Sequence, residues 1–300
     1  MKEKKQAVTE GVWLGLLVSI GVGLLLYSRA VSATVSEGLS LCGNVLLPSL
    51  FPFFVLSSLL VQRCGGSRVA PVPLAFALGA VGGYPVGAKT VAQLYTQGRI
   101  GKEQAVSALR FCNNAGPAFV LGAVGVGLLN DGGLGLRLWG IHLVSALLIG
   151  LFFRLKSTPV KADGSTPVWV SETQGSEGFL QAVTGAWSAF FNVCAFVLIF
   201  SVAVCLLEQL PWVSSLSEPW DGLLYGVLEL TGGAARLAGG ALPRRVMLPA
   251  LSFLLGWGGL SVQCQTVDLL RKAGLPCRSY LNAKLMQGIL AAGLTLLISG

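Results

Sequence analysis

Charged side chains are scarce in this sequence. Asp, Glu, Lys and Arg together make up 11% of the 300 residues, whereas an ordinary soluble domain contains roughly 25%. So few charges cannot cover a surface that faces water, which excludes a soluble globular protein. Intrinsic disorder is excluded as well, because it requires low hydrophobicity and high charge. The mean hydropathy of +0.72 agrees, and we predict a polytopic membrane protein.

The sequence also lacks the side-chain sets that metal sites and hydrolytic enzymes use. It has one histidine, His142, and its seven cysteines form no Cys-X-X-Cys pair. A histidine metal site and a Ser-His triad are therefore not expected, and the cysteines are interpreted as small apolar packing residues. Because no nucleophile, metal-ligand set or acid–base set is recognisable, we expect no enzymatic activity, no metal and no cofactor.

Basic residues outnumber acidic ones and give a net charge of +8, but they lie in short connectors between apolar runs. This placement is typical of membrane topology signals, and no basic stripe interleaved with aromatic residues indicates a nucleic-acid partner. The basic start of the chain is followed by an apolar run without a clear small-residue cleavage site. This pattern indicates a retained helix rather than a signal peptide.

Runs without charge mark candidate membrane spans and divide the chain. We predict an N-terminal transmembrane helix over 1–30, a first repeat over 31–155, a polar loop over 156–177 and a second repeat over 178–300. The partner that this organisation implies is a lipid bilayer. The sequence leaves a homo-oligomer open.

A self-match between the two halves favours an internal duplication. Residues 82–98 align with residues 258–274 without a gap, and seven of the 17 positions are identical. Each copy closes a glycine-rich apolar run, so we predict one re-entrant hairpin over 69–96 and another over 246–270. The charge bias places both hairpin connectors on one side of the membrane, and the orientation of the repeats stays open.

Paired, interrupted apolar segments in the two halves of a membrane chain are typical of the substrate site of a secondary transporter. An interrupted helix leaves free N–H groups at one end, which attract anions, and free C=O groups at the other, which attract cations. A channel is the weaker alternative, since no filter-like ring of carbonyls is recognisable.

The first candidate site is the turn expected at the tip of the first hairpin. Gly83 and Gly87 allow tight turning and close backbone approach. Pro85 follows Tyr84 and prevents the helix from continuing. Lys89 lies just beyond, where an ammonium group is costly unless it is paired or wetted. We predict that Lys89 is a cation facing an anionic substrate; the alternative is a lysine that snorkels to the interface.

The second candidate site interrupts a predicted transmembrane helix. Asn113 and Asn114 supply hydrogen-bond donors and acceptors, and Gly116 is followed by Pro117, which removes a backbone donor. The alternative interpretation is a helix-entry cap with Asn114 at its start. The two interpretations are compatible, because the start of a half-helix is itself an anion site.

The second half contributes weaker candidates. Gln263, Gln265 and Thr266 lie at the predicted tip of the later hairpin, and they would orient a substrate through hydrogen bonds. Asp268 beyond them and Glu229 in a weakly apolar segment are candidates for ion pairing or for coupling to an ion. The alternative is that these groups are the polar ends of a span or lie at the surface.

Four motifs give the chain a resemblance to a known family. They are LPSLFPFF at 47–54, GYPVGAK at 83–89, FCNNAGP at 111–117 and LELTG at 228–232. On these residues the chain resembles the YlbJ-type sporulation integral membrane proteins, which belong with the nucleoside-recognition "Gate" domain proteins. The resemblance extends over residues 12–298, and its motifs are most specific in the first half.

The resemblance implies a fold and a function. The family is distantly similar to concentrative nucleoside transporters, so the implied fold is an all-α, internally duplicated membrane bundle whose two re-entrant or broken-helix hairpins hold the substrate. The implied function is transport of dipicolinic acid from mother cell toward forespore, in the outer forespore membrane. Dipicolinate is a small planar dianion that suits Lys89, Asn113 and Asn114. A nucleoside or nucleobase transporter and a non-transporting sporulation scaffold or receptor remain alternatives.

Overall fold

The computed structural model describes residues 2–63, 70–156 and 176–299. Within these ranges the chain is helical and has no strand. The predicted polar loop over 156–177 lies outside the described residues except at its two ends. The α-helices are α1 (Lys2–Leu26), α2 (Ser28–Leu41), α3 (Leu47–Arg63), α4 (Pro71–Gly82), α5 (Val86–Thr96), α6 (Lys102–Cys112), α7 (Gly132–Lys156), α8 (Ser176–Leu207), α9 (Pro211–Ser214), α10 (Trp220–Leu228), α11 (Leu230–Gly239), α12 (Arg244–Trp257), α13 (Gly259–Lys272) and α14 (Arg278–Ser299), and the π-helical segments are π1 (Cys42–Leu46) and π2 (Ala118–Leu128).

In the described part of the chain, four helical segments are long and apolar enough to cross a membrane, as their length and composition require. A fifth is reached if Glu10–Leu26 and Ser28–Asn44, which are bent by 89° to each other, form one span. The prediction of an all-α polytopic membrane protein is therefore confirmed. The helix predicted over 1–30 ends earlier, because the chain turns sharply at Tyr27 and continues as α2.

The segment predicted as the first hairpin folds back on itself. α4 begins at Pro71, whose ring suits the first turn of a helix, and it ends before Gly83, whose φ of 80° favours glycine. α5 then returns so close to α4 that a Cβ on Gly79 would lie 2.9 Å from the Cα of Gly87. We call α4 and α5 hairpin A.

A second helical hairpin is formed by α10 and α11, in a stretch where the sequence pattern is weak. Glu229 is the one residue between the two helices, and its φ of −135° and ψ of 115° are those of extended backbone. A Cβ on Gly233 would lie 2.0 Å from the Cα of Gly226, so the two helices touch through backbone. We call α10 and α11 hairpin B.

Each hairpin is followed by a helix that is interrupted midway. In broken helix A, α6 and π2 are separated by residues 113–117. In broken helix B, α12 and α13 are separated by Gly258, which has a φ of 88° and is followed by Gly259 with a φ of 79°. A long helix comes next in both cases, α7 after A and α14 after B. The described residues therefore contain the succession of hairpin, broken helix and long helix twice.

The structure differs from the hairpin predicted over 246–270. That stretch is broken helix B, and Arg244–Lys272 is a single candidate crossing of 29 residues. α12 packs mainly along α14. The positive φ angles of Gly258 and Gly259 interrupt the helical hydrogen bonds at this point, but the chain does not double back. The division of the chain into two repeats at the boundaries given above stays a prediction.

The tip of each hairpin rests on the break of the broken helix that follows it. In the first half, a Cβ on Gly116 would lie 2.9 Å from the Cα of Gly83. In the second half, a Cβ on Gly259 would lie 3.0 Å from the backbone nitrogen of Leu230. Only glycine permits such backbone contacts. The two halves also share one buried apolar cluster, to which Tyr84 and Leu230 both belong.

Candidate functional site

Both hairpin tips, the break of helix A and the first turns of α13 border one cavity of about 110 Å³. A single water needs only about 10–15 Å³ on the same measure, so the cavity has room for a small organic molecule. Its walls are apolar except for a short polar strip. The polar strip consists of Gly83, Tyr84, Gly116, Glu229, Thr231, Ser261 and Gln265, and the larger wall residues are Leu46, Leu50, Val81, Phe119, Val193, Val197, Leu230 and Val262. Five residues predicted from sequence are therefore in this lining.

Tyr84 connects the tip of hairpin A to the other half of the chain. Its hydroxyl donates to the carbonyl oxygen of Leu255 at 2.9 Å. In an unbroken helix that carbonyl would accept from the N–H of residue 259, but the break at Gly258 removes this partner. The phenol therefore satisfies a carbonyl at the broken end of α12, and it ties the two halves together at the cavity.

Asn113 holds the interrupted end of α6 against both halves. Its Oδ1 accepts from the backbone N–H of Ala88 at 3.3 Å. Its Nδ2 donates to the hydroxyls of Thr266 at 3.2 Å and Tyr280 at 3.0 Å. Asn113 and Thr266 are fully buried. These two predicted residues thus lie beside the cavity in a hydrogen-bonded network rather than in its lining.

Asn114 and His142 satisfy further backbone groups at the same break. The Asn114 Nδ2 donates to the carbonyl of Phe111 at 2.7 Å, and the His142 Nε2 accepts from the N–H of Ala115 at 3.0 Å. Backbone groups that are freed inside a membrane must be satisfied within the protein. The histidine that stands alone in the sequence therefore has a structural role here, as an acceptor for an interrupted helix.

Lys284 is a fully buried cation that sequence reasoning missed. Its Nζ donates to the carbonyl of Asn113 at 2.7 Å and to Oε1 of Gln287 at 2.5 Å, and it lies 5.0 Å from the ring centroid of Tyr84. Tyr280, Lys284 and Gln287 follow the helical i, i+4, i+7 spacing, so they share one face of α14. That polar stripe in an otherwise apolar helix is the signal that could have revealed them.

Glu229 forms the tip of hairpin B and caps α11. Its two carboxylate oxygens accept from the N–H groups of Thr231 at 3.1 Å and Gly232 at 2.7 Å. The positive end of the helix dipole stabilises the buried carboxylate. Glu229 is buried, so the sequence alternative that places it at the surface does not describe this structure.

A second, more open cavity of about 510 Å³ lies on the other side of Glu229. It is bordered by α2, α8 and hairpin B, and its lining includes Glu37, Glu208 and Arg236. The Arg236 guanidinium pairs with Glu208 and lies 4.0 Å from the Tyr225 ring centroid. Glu229 and Thr231 belong to the linings of both cavities.

Lys89 is buried but lies away from the cavity lining. Its Nζ has no hydrogen-bond partner among the described residues, and it faces the ring of Phe54 at 5.0 Å from the centroid. Because Lys89 is buried, the alternative of a lysine that snorkels to the membrane interface does not describe this structure. A direct contact between this ammonium and a substrate in the cavity stays a prediction.

The other predicted residues fall into three places. Gly87 packs against the end of α6, where a Cβ would lie 1.9 Å from the carbonyl oxygen of Cys112, and Pro85 is buried in the turn of hairpin A. Gln263 is buried and donates to the carbonyl of Trp257, at the break of helix B. Asp268 is outside the site and pairs with Lys272 one turn along α13 at 2.6 Å.

Comparison with known proteins adds one relative. No family model matches the chain, and no solved structure matches it. Among curated proteins, the sporulation integral membrane protein YlbJ of Bacillus subtilis (strain 168) is 28% identical over an alignment of 308 residues. The alignment covers 87% of this chain and 76% of YlbJ. The chain is therefore similar to a YlbJ-type protein over most of its length. The resemblance inferred from the motifs is confirmed, and the chain is an integral membrane protein.

The motifs that mark the YlbJ-type resemblance have a common location. Residues 83–89 form the turn of hairpin A, residues 111–117 form the break of helix A, and residues 228–232 form the tip of hairpin B. All three contribute to the lining of the central cavity. Residues 47–54 begin α3, and they contribute Leu50 to the same wall.

Replacing Tyr84 by phenylalanine tests the link between the two halves. The change leaves the carbonyl of Leu255 buried without its donor, and an unsatisfied buried acceptor costs about 1–3 kcal/mol. We expect thermal unfolding in detergent to report a loss of that size. The matched control is Tyr27→Phe at an exposed position, where no loss is expected. Equal unfolding temperatures for the two variants would contradict the role given to Tyr84.

Proposed function

We propose that this chain is a secondary-type transporter that moves a small anionic metabolite, dipicolinic acid, from mother cell toward forespore during sporulation. The name of the Bacillus subtilis relative supports a role in sporulation. The YlbJ-type resemblance supplies dipicolinate and the outer forespore membrane as the expected substrate and location.

The observation that supports transport most directly is that two hairpin tips, the break of helix A and the start of α13, which follows the break of helix B, meet at one cavity. Broken helices at membrane depth are tolerated only where the backbone is buried in protein or lines a cavity. Transporters place substrate and ion sites at such breaks, because the helix ends present free N–H and C=O groups. A bundle that served only as a scaffold would not need four interrupted elements around a central space.

The buried charges favour an anion. Lys89 and Lys284 are buried cations, and no carboxylate lies within ion-pair distance of either among the described residues. Glu229 is a buried acid, but the N-terminus of α11 already compensates its charge. No carboxylate among the described residues therefore compensates an ammonium charge on either lysine. An anionic solute reduces the cost of holding these cations in a medium of low dielectric constant.

We propose transport rather than catalysis for the same site. Among the described residues, Glu229 is the one carboxylate in the cavity lining, and both of its oxygens are engaged by backbone N–H groups. A general acid or base must be free to exchange a proton with a reacting group. The polar strip is suited to binding and release instead.

Flux into liposomes tests the proposal. The purified protein is reconstituted into vesicles that contain terbium ions, dipicolinate is added outside, and the luminescence of the terbium complex reports its entry. We expect dipicolinate to enter severalfold faster than into protein-free vesicles. An excess of analogues of similar shape and charge should slow this entry by competition. Uridine is the comparison solute for the nucleoside alternative.

The outcomes separate the candidate functions. Competition by uridine but not by other planar carboxylates would replace dipicolinate with a nucleoside. Equal rates in protein-containing and protein-free vesicles, under gradients of either direction, would contradict transport and favour a scaffold or receptor. Spore dipicolinate content in a deletion strain provides the independent measurement in the organism, and an unchanged content would contradict the sporulation role.

A further inference from the structure

Two helix N-termini of the second half face the central cavity, and only one of them is capped by a side chain. The N-terminus of α11 is occupied by the carboxylate of Glu229, which accepts from two backbone N–H groups. This arrangement shows within the molecule how a carboxylate is held at a helix start beside the cavity. The N-terminus of α13 has no such side chain, because its N-cap residue is Gly258.

The first turn of α13 therefore presents N–H groups that no side chain caps. The first four N–H groups of a helix have no partner within the helix, and together they form the positive end of its dipole. α13 has 14 residues, so its dipole is well developed. Gly259, the first residue of the helix, is packed against the tip of hairpin B, which directs this end of α13 toward the cavity.

Two buried polar side chains on the same helix lack partners. Ser261 and Gln265 are each 1% exposed, and both line the cavity. The Oγ of Ser261 and the Nε2 of Gln265 have no hydrogen-bond partner among the described residues. The two residues are four apart, so they lie one above the other on one face of α13. Buried donors without partners are uncommon in proteins, and a ligand in the cavity would supply the missing acceptors.

We infer that the N-terminal turn of α13, with Ser261 and Gln265, is the subsite that holds a carboxylate group of the transported acid. The inference rests on the proposed function and names the chemistry that its site recognises. The amide of Gln265 and the hydroxyl of Ser261 donate to the carboxylate oxygens, and the helix dipole stabilises the negative charge. Charge-assisted hydrogen bonds of this kind are about twice as strong as neutral ones.

The other residues of the lining limit the shape and polarity of the acid that can bind. Val262, Phe119 and Val193 provide apolar walls beside the polar strip, which suit a flat ring or another compact apolar body. The N-terminus of α11 is already occupied by the Glu229 carboxylate, so the acid is oriented with a carboxylate toward the uncapped N-terminus of α13. The expected ligand is thus a small planar carboxylic acid, and a neutral molecule of equal shape binds more weakly.

Substitutions that remove the unpaired donors test the subsite. Gln265→Leu preserves side-chain size, and Ser261→Ala removes one oxygen. Neither change breaks a hydrogen bond within the described residues, so unfolding temperatures are expected to be unchanged or higher. Dipicolinate flux is expected to fall about 10-fold to 100-fold for Gln265→Leu, since a hydrogen bond to a charged group is lost. Gln181→Leu, at an exposed position of α8, is the matched control and keeps wild-type flux.

A second measurement reads binding without transport. Unfolding temperature in detergent is recorded with dipicolinate, its ring-carbon analogue isophthalate, the monocarboxylate picolinate and the neutral dimethyl ester of dipicolinic acid. We expect the acids to stabilise the wild type more than the ester, and this difference to disappear in Gln265→Leu. Gln265→Glu, which places a carboxylate in the subsite, is expected to abolish stabilisation by every acid.

The two proposals fail in different ways. One outcome is that the wild type transports dipicolinate and that Gln265→Leu and Ser261→Ala show the same flux and the same ligand stabilisation as the wild type. This outcome would overturn the subsite and leave transport intact. No wild-type flux would overturn transport, and the subsite would then stand only if the acids stabilise the wild type and not Gln265→Leu. Equal effects of all four molecules on wild type and variants would overturn the subsite in either case.

Discussion

Replacing Gly87 by alanine is expected to disrupt hairpin A. A Cβ at this position would lie 1.9 Å from the carbonyl oxygen of Cys112 and 2.9 Å from the Cα of Asn113. Both obstacles are backbone atoms, so no side-chain rotation can relieve the clash. Overpacking in a tight core usually costs about 1–3 kcal/mol and occasionally more, and we expect the upper end of that range or beyond. Thermal unfolding and dipicolinate flux measure the loss.

Gly185→Ala provides the matched control for Gly87→Ala. Gly185 also lies within a helix, α8, but a Cβ there would meet no atom within 4 Å. Alanine is a better helix former than glycine by about 1 kcal/mol, so this variant should be as stable as the wild type or more stable. The same chemical change therefore has opposite effects at the two positions. Similar stability of both variants would contradict the close packing of hairpin A on broken helix A.

Replacing the two buried lysines by methionine is expected to give unequal results. Lys284 makes two hydrogen bonds, to the carbonyl of Asn113 and to Gln287, and bonds to a charged group contribute about 1.5–3 kcal/mol each. Relief of the desolvation cost offsets part of this loss. Lys89 makes no hydrogen bond among the described residues, so Lys89→Met relieves the cost of a buried charge and loses only the contact with Phe54.

We therefore expect Lys284→Met to be less stable than Lys89→Met by at least about 2 kcal/mol. Methionine approximates the length of the lysine stem, so packing changes are similar in the two variants. Chemical or thermal unfolding in the same detergent measures the difference. Lys284→Met should also reduce dipicolinate flux, because the carbonyl of Asn113 at the break of helix A loses its donor. If Lys89→Met proved the less stable variant, the role of Lys284 in the network would be refuted.

The elements of the first half could be predicted from sequence, because their backbone conformations require particular residue types. The turn of hairpin A needs a positive φ at Gly83, and the break of helix A combines Gly116 with Pro117. Glycine and proline are the residues that such conformations select. The low charge content fixed the membrane class for an equally direct reason, since lipid does not solvate charged groups.

Hairpin B could not be predicted from sequence in the same way. Its turn is one residue of extended backbone, Glu229, which needs neither glycine nor proline. The sequence match between 82–98 and 258–274 instead paired the turn of hairpin A with the break of helix B. Both places use glycine at positive φ, at Gly83 and Gly258, so a shared Gly-Gly pair does not distinguish a chain reversal from an interruption.

The polar network was only partly predictable. Asn113 and Asn114 were recognisable as adjacent amides inside an apolar run, and Thr266 was predicted as a site residue, although at the tip of a hairpin that the structure does not contain. Their partners Tyr280 and Lys284 are more than a hundred residues from Asn113 in sequence. Local patterns carry no information on which distant helix face completes a buried network. The unpaired donor of Ser261 likewise became visible only once the lining of the cavity was known.

Glu229 and Thr231 belong to the walls of both the central cavity and the outer one. The tip of hairpin B is therefore part of the wall between the two spaces, and two N–H groups on one carboxylate hold it in place. A solute of the proposed transport that moved from the central cavity to the outer one would pass the tip of hairpin B. In the proposed transport, the Glu229 cap of α11 would therefore influence how readily this path opens.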